Sequence, residues 1–491
     1  MLRKIFMFLF CLVIGSLPLG AGSGIVLVAS AGHGPGGLLA PELIAGGGNN
    51  YNVWPSGDPA KDVPNVQWAV DNVKDGGFVR LKATDKFTGA PAAFDFGEDG
   101  SVEVSKSVII TGGSGATIYG GYKTFTCDNP SVKLEISNLH FDGSKRAAIY
   151  VRQSSAVKIT NNVMVNLLPN KEVTYHPVSY YVASGIEMGS SVCDNPDTTY
   201  PYICLDEPKQ LGTVEISNNY IDLGIYDENG ELLDPTKEYP NSMDGTPLED
   251  TAFSGIVLLD CYLEAKISGN TIKNTNRRAI HPIDTFGSTE IVGNTVELSP
   301  FSSAAPGTAS AGGFGKRSFG IFPLNGYRNI AAAVNGAVHT VMYNKVTVRS
   351  DFGTDGPHGV GIIGGNGVKN SAFSHNDIIN KNGTRNGIIL SGNISAPSVN
   401  PVRAKLNTIS HNTIDGSSYV PAPGPFFAHI LVSAADSTTL EYNTYTGELP
   451  MLVILGSGTR VVDAAHPNTI IDAYCSTMKI SFANLFSCNQ P

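Results

Sequence analysis

Ile267-Ser268-Gly269-Asn270-Thr271-Ile272 and Ile291-Val292-Gly293-Asn294-Thr295-Val296 are two copies of one pattern: an apolar residue, two residues, Asn, one residue, an apolar residue. The pattern occurs upstream as Ile159-Thr160-Asn161-Asn162-Val163-Met164 and Ile216-Ser217-Asn218-Asn219-Tyr220-Ile221. Later copies centre on Asn344, Asn376, Asn412 and Asn443, and Ile136-Ser137-Asn138-Leu139-His140-Phe141 carries Leu at the Asn position. A second strand alternates with it, a small residue followed by apolar residues at every other place: Gly185-Ile186, Gly255-Ile256, Ala279-Ile280, Gly320-Ile321, Gly359-Val360, Gly387-Ile388, His429-Ile430 and Leu452-Val453.

The closest anchors, Ile256 to Ile280 and Ile430 to Val453, set a coil of 24 or 23 residues; wider gaps contain insertions. Strands of period two bury one face. A coil of two or three such strands cannot bury that face alone, but stacked coils can. The expected fold is all-β, a right-handed parallel β-helix, with the repeated Asn passing amide hydrogen bonds up the stack. The leucine-rich consensus is missing, and no blade signature supports a propeller.

With these motifs the chain resembles the right-handed parallel β-helix proteins of the pectin lyase-like superfamily, over residues 64–461. Val66-Gln67-Trp68-Ala69-Val70 and Asp75-Gly76-Gly77-Phe78-Val79 look like that superfamily's short N-terminal capping helix and first strand. Ser107-Val108-Ile109-Ile110-Thr111-Gly112 and Ala116-Thr117-Ile118 look like its first coils. The superfamily holds polysaccharide lyases, glycoside hydrolases, uronate epimerases and non-catalytic surface proteins, so the resemblance implies a fold and leaves the activity open.

The first 31 residues read as a signal peptide. Arg3 and Lys4 precede an apolar run over 5–14, and Ala29-Ser30-Ala31 suits cleavage. A secreted, periplasmic or cell-surface protein follows, with a Gly/Pro-rich segment over 32–63 and a C-terminal cap over 462–491. No later apolar stretch is long enough to span a bilayer, so no stable membrane insertion is expected. The net charge of −10 disfavours nucleic acid. Six cysteines remain after the signal; Cys193–Cys204 and Cys475–Cys488 are the expected disulfides, with Cys127 and Cys261 as buried thiols. Oligomeric state leaves no sequence signal.

Insertions near 168–212, 224–254 and 299–318 would wall one side of the solenoid. The first two carry Tyr175, Tyr180, Tyr181, Tyr200, Tyr202, Tyr226 and Tyr239, which suit a carbohydrate groove as a group and loop packing singly.

Taking Ile256, Ile280, Ile321 and Val360 as equivalent, four residues later stand Asp260, Asp284, Asn325 and Gly364. Asp260 and Asp284 would be ~5 Å apart on adjacent coils. Two carboxylates that close could act as an acid/base or nucleophile pair, hold Ca²⁺, or simply occupy a turn. Arg277, Arg278, Lys316 and Arg317 lie beside the same coils, with His281, His358 and Glu187 near them. Cations gathered on an acidic protein suit a uronate polymer, and Arg or Lys could then stabilise charge or abstract a proton during β-elimination. The expected catalytic set is Asp260, Asp284, Arg278 and His281; Glu187, Arg277, Lys316, Arg317, Asn325 and His358 are the expected substrate contacts. Gly356-Pro357-His358-Gly359 is similar to a polygalacturonase segment, but the Asp-Asp and Arg-Ile-Lys motifs of that family are absent. The functional expectation is an exported lyase or hydrolase acting on an acidic glycan; the alternative is a non-catalytic glycan-binding or surface β-helix.

Overall fold

The computed structural model describes residues 39–173, 179–190, 206–234, 238, 250–301, 318–327, 329–349, 359–381, 386–392, 403–418, 428–433, 435–447, 452–455, 459–461 and 470–472. The signal segment, Cys193, Cys204, Cys475 and Cys488 lie outside them, as does the C-terminal cap apart from Ile470–Asp472. No helix among the described residues is long and apolar enough to cross a membrane.

The chain is a parallel β-helix with three walls. The first wall is a 14-stranded sheet. Its rungs include Ala147–Gln153, Ser179–Gly189, Asp250–Leu259, Arg278–Ile283, Phe319–Ile321 and Val360–Asn366. The second and third walls share a 23-stranded sheet, because strands such as Lys133–Asp142 run through both. Second-wall rungs include Cys261–Ser268, Phe286–Val292, Val338–Met342, Ala372–Ser374, Thr408–Ser410 and Thr439–Glu441; Thr271–Thr275, Thr295–Leu298 and Lys345–Arg349 are third-wall rungs.

In the first wall Ile149, Ile186, Ile256, Ile280, Ile321, Ile362, Ile388 and Ile430 are successive partners. All are buried inward. Removing one to Ala would cost ~2–5 kcal/mol. The Gly before most of these Ile residues has a steric cause. A Cβ on Gly255 would sit 2.5 Å from Ala279 O and 2.8 Å from Ile272 Cγ2. The register corrects two assignments: Ile362, not Val360, opposes Ile321, and Leu452, not Val453, opposes Ile430. Gly359-Val360 and Gly361-Ile362 share a strand parity, so alternation alone cannot tell them apart. The fourth residue of that ladder is therefore Asn366, not Gly364.

The Asn ladder forms at the bend between the second and third walls. Along Asn162, Asn219, Asn270, Asn294, Asn344, Asn376, Asn412 and Asn443, every residue but the last passes Nδ2–H to the next Oδ1 at 2.9–3.0 Å. Each Oδ1 also accepts the backbone N–H of the preceding Asn, as at Asn219 N to Asn270 Oδ1. Where the ladder stops, Leu139 N still donates to Asn162 Oδ1. A second polar ladder lies five residues earlier, facing inward. Thr289 Oγ1 meets His339 Nδ1 at 2.7 Å, His339 N donates to Ser371 Oγ, and Ser371 N donates to Asn407 Oδ1. Burial pushes the His339 imidazole down to about 3.

The residue just before each ladder Asn is left-handed. In early coils it is Asn or Gly: Asn161, Asn218, Gly269 and Gly293. From the coil of Asn344 onward it is Tyr343, His375, His411 and Tyr442, with φ of 55–57°. Left-handed backbone costs ~1–2 kcal/mol at residues other than Gly, Asn or Asp. The four rings stack with centroids 4.8–5.0 Å apart. The outer face of the second wall changes at the same coil. Glu135, Lys158, Glu215, Lys266 and Glu290 are successive partners of alternating sign, and Lys158 reaches Glu215 at 3.7 Å. After Glu290 the same positions are Thr340, Ala372, Thr408 and Thr439.

The N-terminal end is capped further upstream than the sequence suggests. The helix α1 spans Pro59–Asn72 rather than opening at Pro64, with Asp58 accepting from Ala60 N at its start. The hairpin of Ile44–Gly47 and Asn50–Val53 continues the sheet through Gly77–Lys82, so part of the 32–63 segment belongs to the solenoid. Cys127 and Cys261 are buried free thiols, and burial pushes Cys127 up to about 11.

Candidate functional site

The predicted site residues separate into two groups with different surroundings. Asp260 and Asp284 do sit on adjacent rungs, because Leu259 pairs with Ile283. Both are left-handed, at φ 45° and 50°, and both are buried. Gly326 N and Tyr327 N donate to Asp284 Oδ1 at 2.5 and 2.8 Å, and Asn329 N donates to Oδ2 at 3.0 Å. The Asn329 side chain then donates to Asp260 Oδ1 at 3.0 Å. Its own Oδ1 accepts from Ala331 N, capping the short helix α2, Ile330–Asn335. A carboxylate met by three backbone N–H groups holds a loop well.

This donor set does not suit calcium, which takes about six to eight oxygen ligands. Both oxygens of Asp284 face N–H groups, whose positive ends would oppose a cation. Among the described residues no three His, Cys, Asp or Glu side chains form a metal set. Asn325 is wholly buried and engaged within the protein. Its Nδ2 donates to Ala337 O at 3.1 Å and its Oδ1 lies 3.4 Å from His339 Nε2.

The second group points away from the solenoid core on the first wall, and its members Glu187, Val257, His281 and Phe322 are all buried, His281 completely. Glu187, Val257, His281 and Phe322 follow Ile186, Ile256, Ile280 and Ile321, so they form one outward ladder. His281 Nδ1 lies 2.6 Å from Phe322 O and its ring stacks on Phe322 at 4.8 Å. Donation from Nδ1–H to that carbonyl makes Nε2 the proton-accepting nitrogen of the neutral ring. The Arg278 guanidinium stands 5.7 Å from the Phe322 ring centroid. Arg277 precedes it at the strand entrance, its N–H donating to Phe253 O. Glu187 is paired with Arg146 through Nη1–Oε2 and Nη2–Oε1 contacts of 2.5 and 2.8 Å, both side chains 2% exposed. Beyond His281 the face turns apolar: Phe319, Phe322, Leu324, Val360, Ile363, Ile389 and Leu431 form a buried cluster with Ile283. Lys316, Arg317 and His358 lie outside the described residues.

Tyr226 is the one insertion tyrosine whose side chain is described. It donates to Asp222 Oδ2 at 3.0 Å and accepts from Asn274 Nδ2 at 2.8 Å. Burial, then the Asp222 charge, raises its phenol well above the usual tyrosine range. Tyr226 therefore packs its loop onto the third wall. Tyr180 and Tyr181 belong to the strand Ser179–Gly189; Tyr175, Tyr200, Tyr202 and Tyr239 lie outside the described residues.

Sequence reasoning missed Arg146 and Asn329. Asn329 stands before Ile330-Ala331-Ala332-Ala333-Val334, and that N-cap signal could have revealed it. Arg146 has no such signal, because its partner is 41 residues away.

No family model and no curated protein matches the chain. Two kinds of solved structure resemble it. The DFA-IIIase from Arthrobacter chlorophenolicus A6, in complex with GF2, is 13% identical over 84% of this chain and 88% of its own, at a TM-score of 0.39. An alginate lyase from Paenibacillus sp. str. FPU-7 is 10% identical over 81% of this chain and 96% of its own, at 0.30. At these scores the likeness adds nothing to what the strand pairing already shows.

Proposed function

We propose that the protein is an exported, polysaccharide-active member of the pectin lyase-like superfamily, a lyase or hydrolase of an acidic glycan. The observation carrying this reading is the outward ladder of Glu187, Val257 and His281 with Arg278 three residues before His281. Arg278 supplies a fixed positive charge for a uronate carboxylate. With that carboxylate neutralised, the ring proton beside it is more acidic, and His281 Nε2 is the base that takes it. The C–H electron pair then forms the sugar double bond as the glycosidic C–O bond breaks, and the leaving oxygen takes up a proton. Glu187, paired with Arg146 on both oxygens, is engaged as a partner of that guanidinium and contributes charge and shape. Asp284 holds the Gly326–Asn329 loop and so positions the strand that carries His281.

Incubation with a panel of uronate and neutral polysaccharides tests this, reading unsaturated products and new reducing ends together. Turnover of a uronate polymer that disappears in Arg278→Ala supports it. A second reading, a non-catalytic glycan-binding β-helix, is favoured by the buried apolar rungs from Phe319 to Leu431. Binding without either product across the panel would establish that reading instead.

A further inference from the structure

We propose that the second-wall face of the coils from Val338 to Glu441, bordered by the Tyr343–His375–His411–Tyr442 stack, binds a neutral polysaccharide chain lying along the solenoid axis. This goes beyond the first-wall reading and does not depend on it.

Two independent ladders change character at the same coil. The alternating Glu and Lys positions give way to Thr340, Ala372, Thr408 and Thr439. At that coil, too, the left-handed position that earlier held Asn or Gly takes aromatic rings. Four consecutive rungs thus keep bulky residues in a backbone conformation that disfavours them, and all four are exposed, the two tyrosines at 59% each. Strain retained on an exposed surface points to a use outside the fold. Mutual stacking explains how the rings are ordered, not why they replace residues suited to the turn.

The surface chemistry narrows the partner. The stacked rings occupy each other's faces and turn their edges outward. Those edges present phenol hydroxyls and imidazole nitrogens at a regular 4.8–5.0 Å interval. Thr hydroxyls line the adjoining sheet face. A periodic row of weak donors and acceptors between apolar edges matches a polymer of hydroxyl-bearing rings. The bordering charges are mixed in sign: Lys345 opposes Asp377, Lys369 and Lys405 are followed by Asp436, Glu441 lies at the far end, and Arg460 succeeds Thr439. A polyanion would find no unbroken cationic row along this face, so the occupant is a neutral glycan.

The test is affinity electrophoresis and calorimetry of the full chain at neutral pH. The probes are a neutral β-linked glucan, a neutral xylan and a uronate polymer. The tested variants are His375→Asn, His411→Asn and Tyr442→Asn, since Asn suits the left-handed turn and should fold at least as well. The expected result is binding of a neutral glycan that weakens about tenfold or more in each Asn variant, with unchanged thermal midpoints. No binding of either neutral glycan by the native chain would overturn the proposal. So would binding that survives all three substitutions, or retention of the uronate polymer alone. Because nothing here needs turnover, a failed first-wall assay and a failed binding assay are separate results.

Discussion

The side-chain amide of Asn329 donates to Asp260 Oδ1 at 3.0 Å, while its backbone N–H donates to Asp284 Oδ2 at the same distance. One residue thus ties together the two carboxylates that stacking register brings to adjacent coils. Asn329→Ala removes the bond to Asp260 and the cap on Ala331 N. It should lower stability by ~1–3 kcal/mol, read as a shift in denaturation midpoint.

Asp284→Asn separates a structural carboxylate from a catalytic one. The amide can replace only one oxygen, so an NH₂ group would face at least one backbone N–H. Hydrogen bonds to a charged group are worth ~1.5–3 kcal/mol each, and a clear fall in thermal midpoint is expected. Activity remaining at a temperature where the variant is folded would agree with a positioning role; full stability with no turnover would make Asp284 part of the chemistry.

Asn270→Ala interrupts the ladder in the middle. It removes the acceptor for Asn219 N and Nδ2 and the donor to Ile216 O. Each buried group left unmet costs ~1–3 kcal/mol, so this substitution should be among the most destabilising single changes. The same measurement on Asn443, at the partly buried end of the ladder, should show a smaller loss.

Two buried histidines give stability a pH slope. Burial holds His339 down at about 3 and His429 down at about 4. Unfolded, each would titrate near ~6.5. The unfolded chain therefore binds more protons below that pH, and stability falls as pH drops. Each histidine contributes ~1.4 kcal/mol per pH unit between its two values. Above about pH 7 neither contributes a slope. Denaturation of His339→Gln alongside the native chain between about pH 4.5 and 6.5 should show a shallower dependence in the variant; parallel curves would contradict it.

Much of the fold was legible because its determinants are periodic and local. The Asn-centred pattern names the ladder residues one by one, and the Gly before Ile186, Ile256, Ile321, Ile362 and Ile388 reflects contact with the next coil. The two-residue slip at Gly359-Val360 arose where a second Gly-Ile pair has the same parity. The site was legible only as neighbours on rungs. Register puts Asp260 beside Asp284, but it cannot say that residues 326–329 will fold back and take up their oxygens. Nor can it pair Glu187 with Arg146, which depends on a turn geometry that no local pattern encodes.

Breaking that pair should be costly. Glu187→Gln leaves the Arg146 guanidinium buried without its counter-charge, a loss of ~3–5 kcal/mol. A thermal midpoint close to that of the native chain would mean that the pair is more hydrated than its 2% exposure indicates.

The outward first-wall ladder as a catalytic centre is tested most directly by kinetics on whichever uronate polymer the panel identifies. Native protein, Arg278→Ala, His281→Ala and Asp284→Asn should be compared at a temperature where all four are folded. The expected result is loss of turnover by at least ~100-fold in the first two, with Asp284→Asn retaining measurable turnover. Unchanged turnover in Arg278→Ala and His281→Ala would contradict the assignment of chemistry to this face.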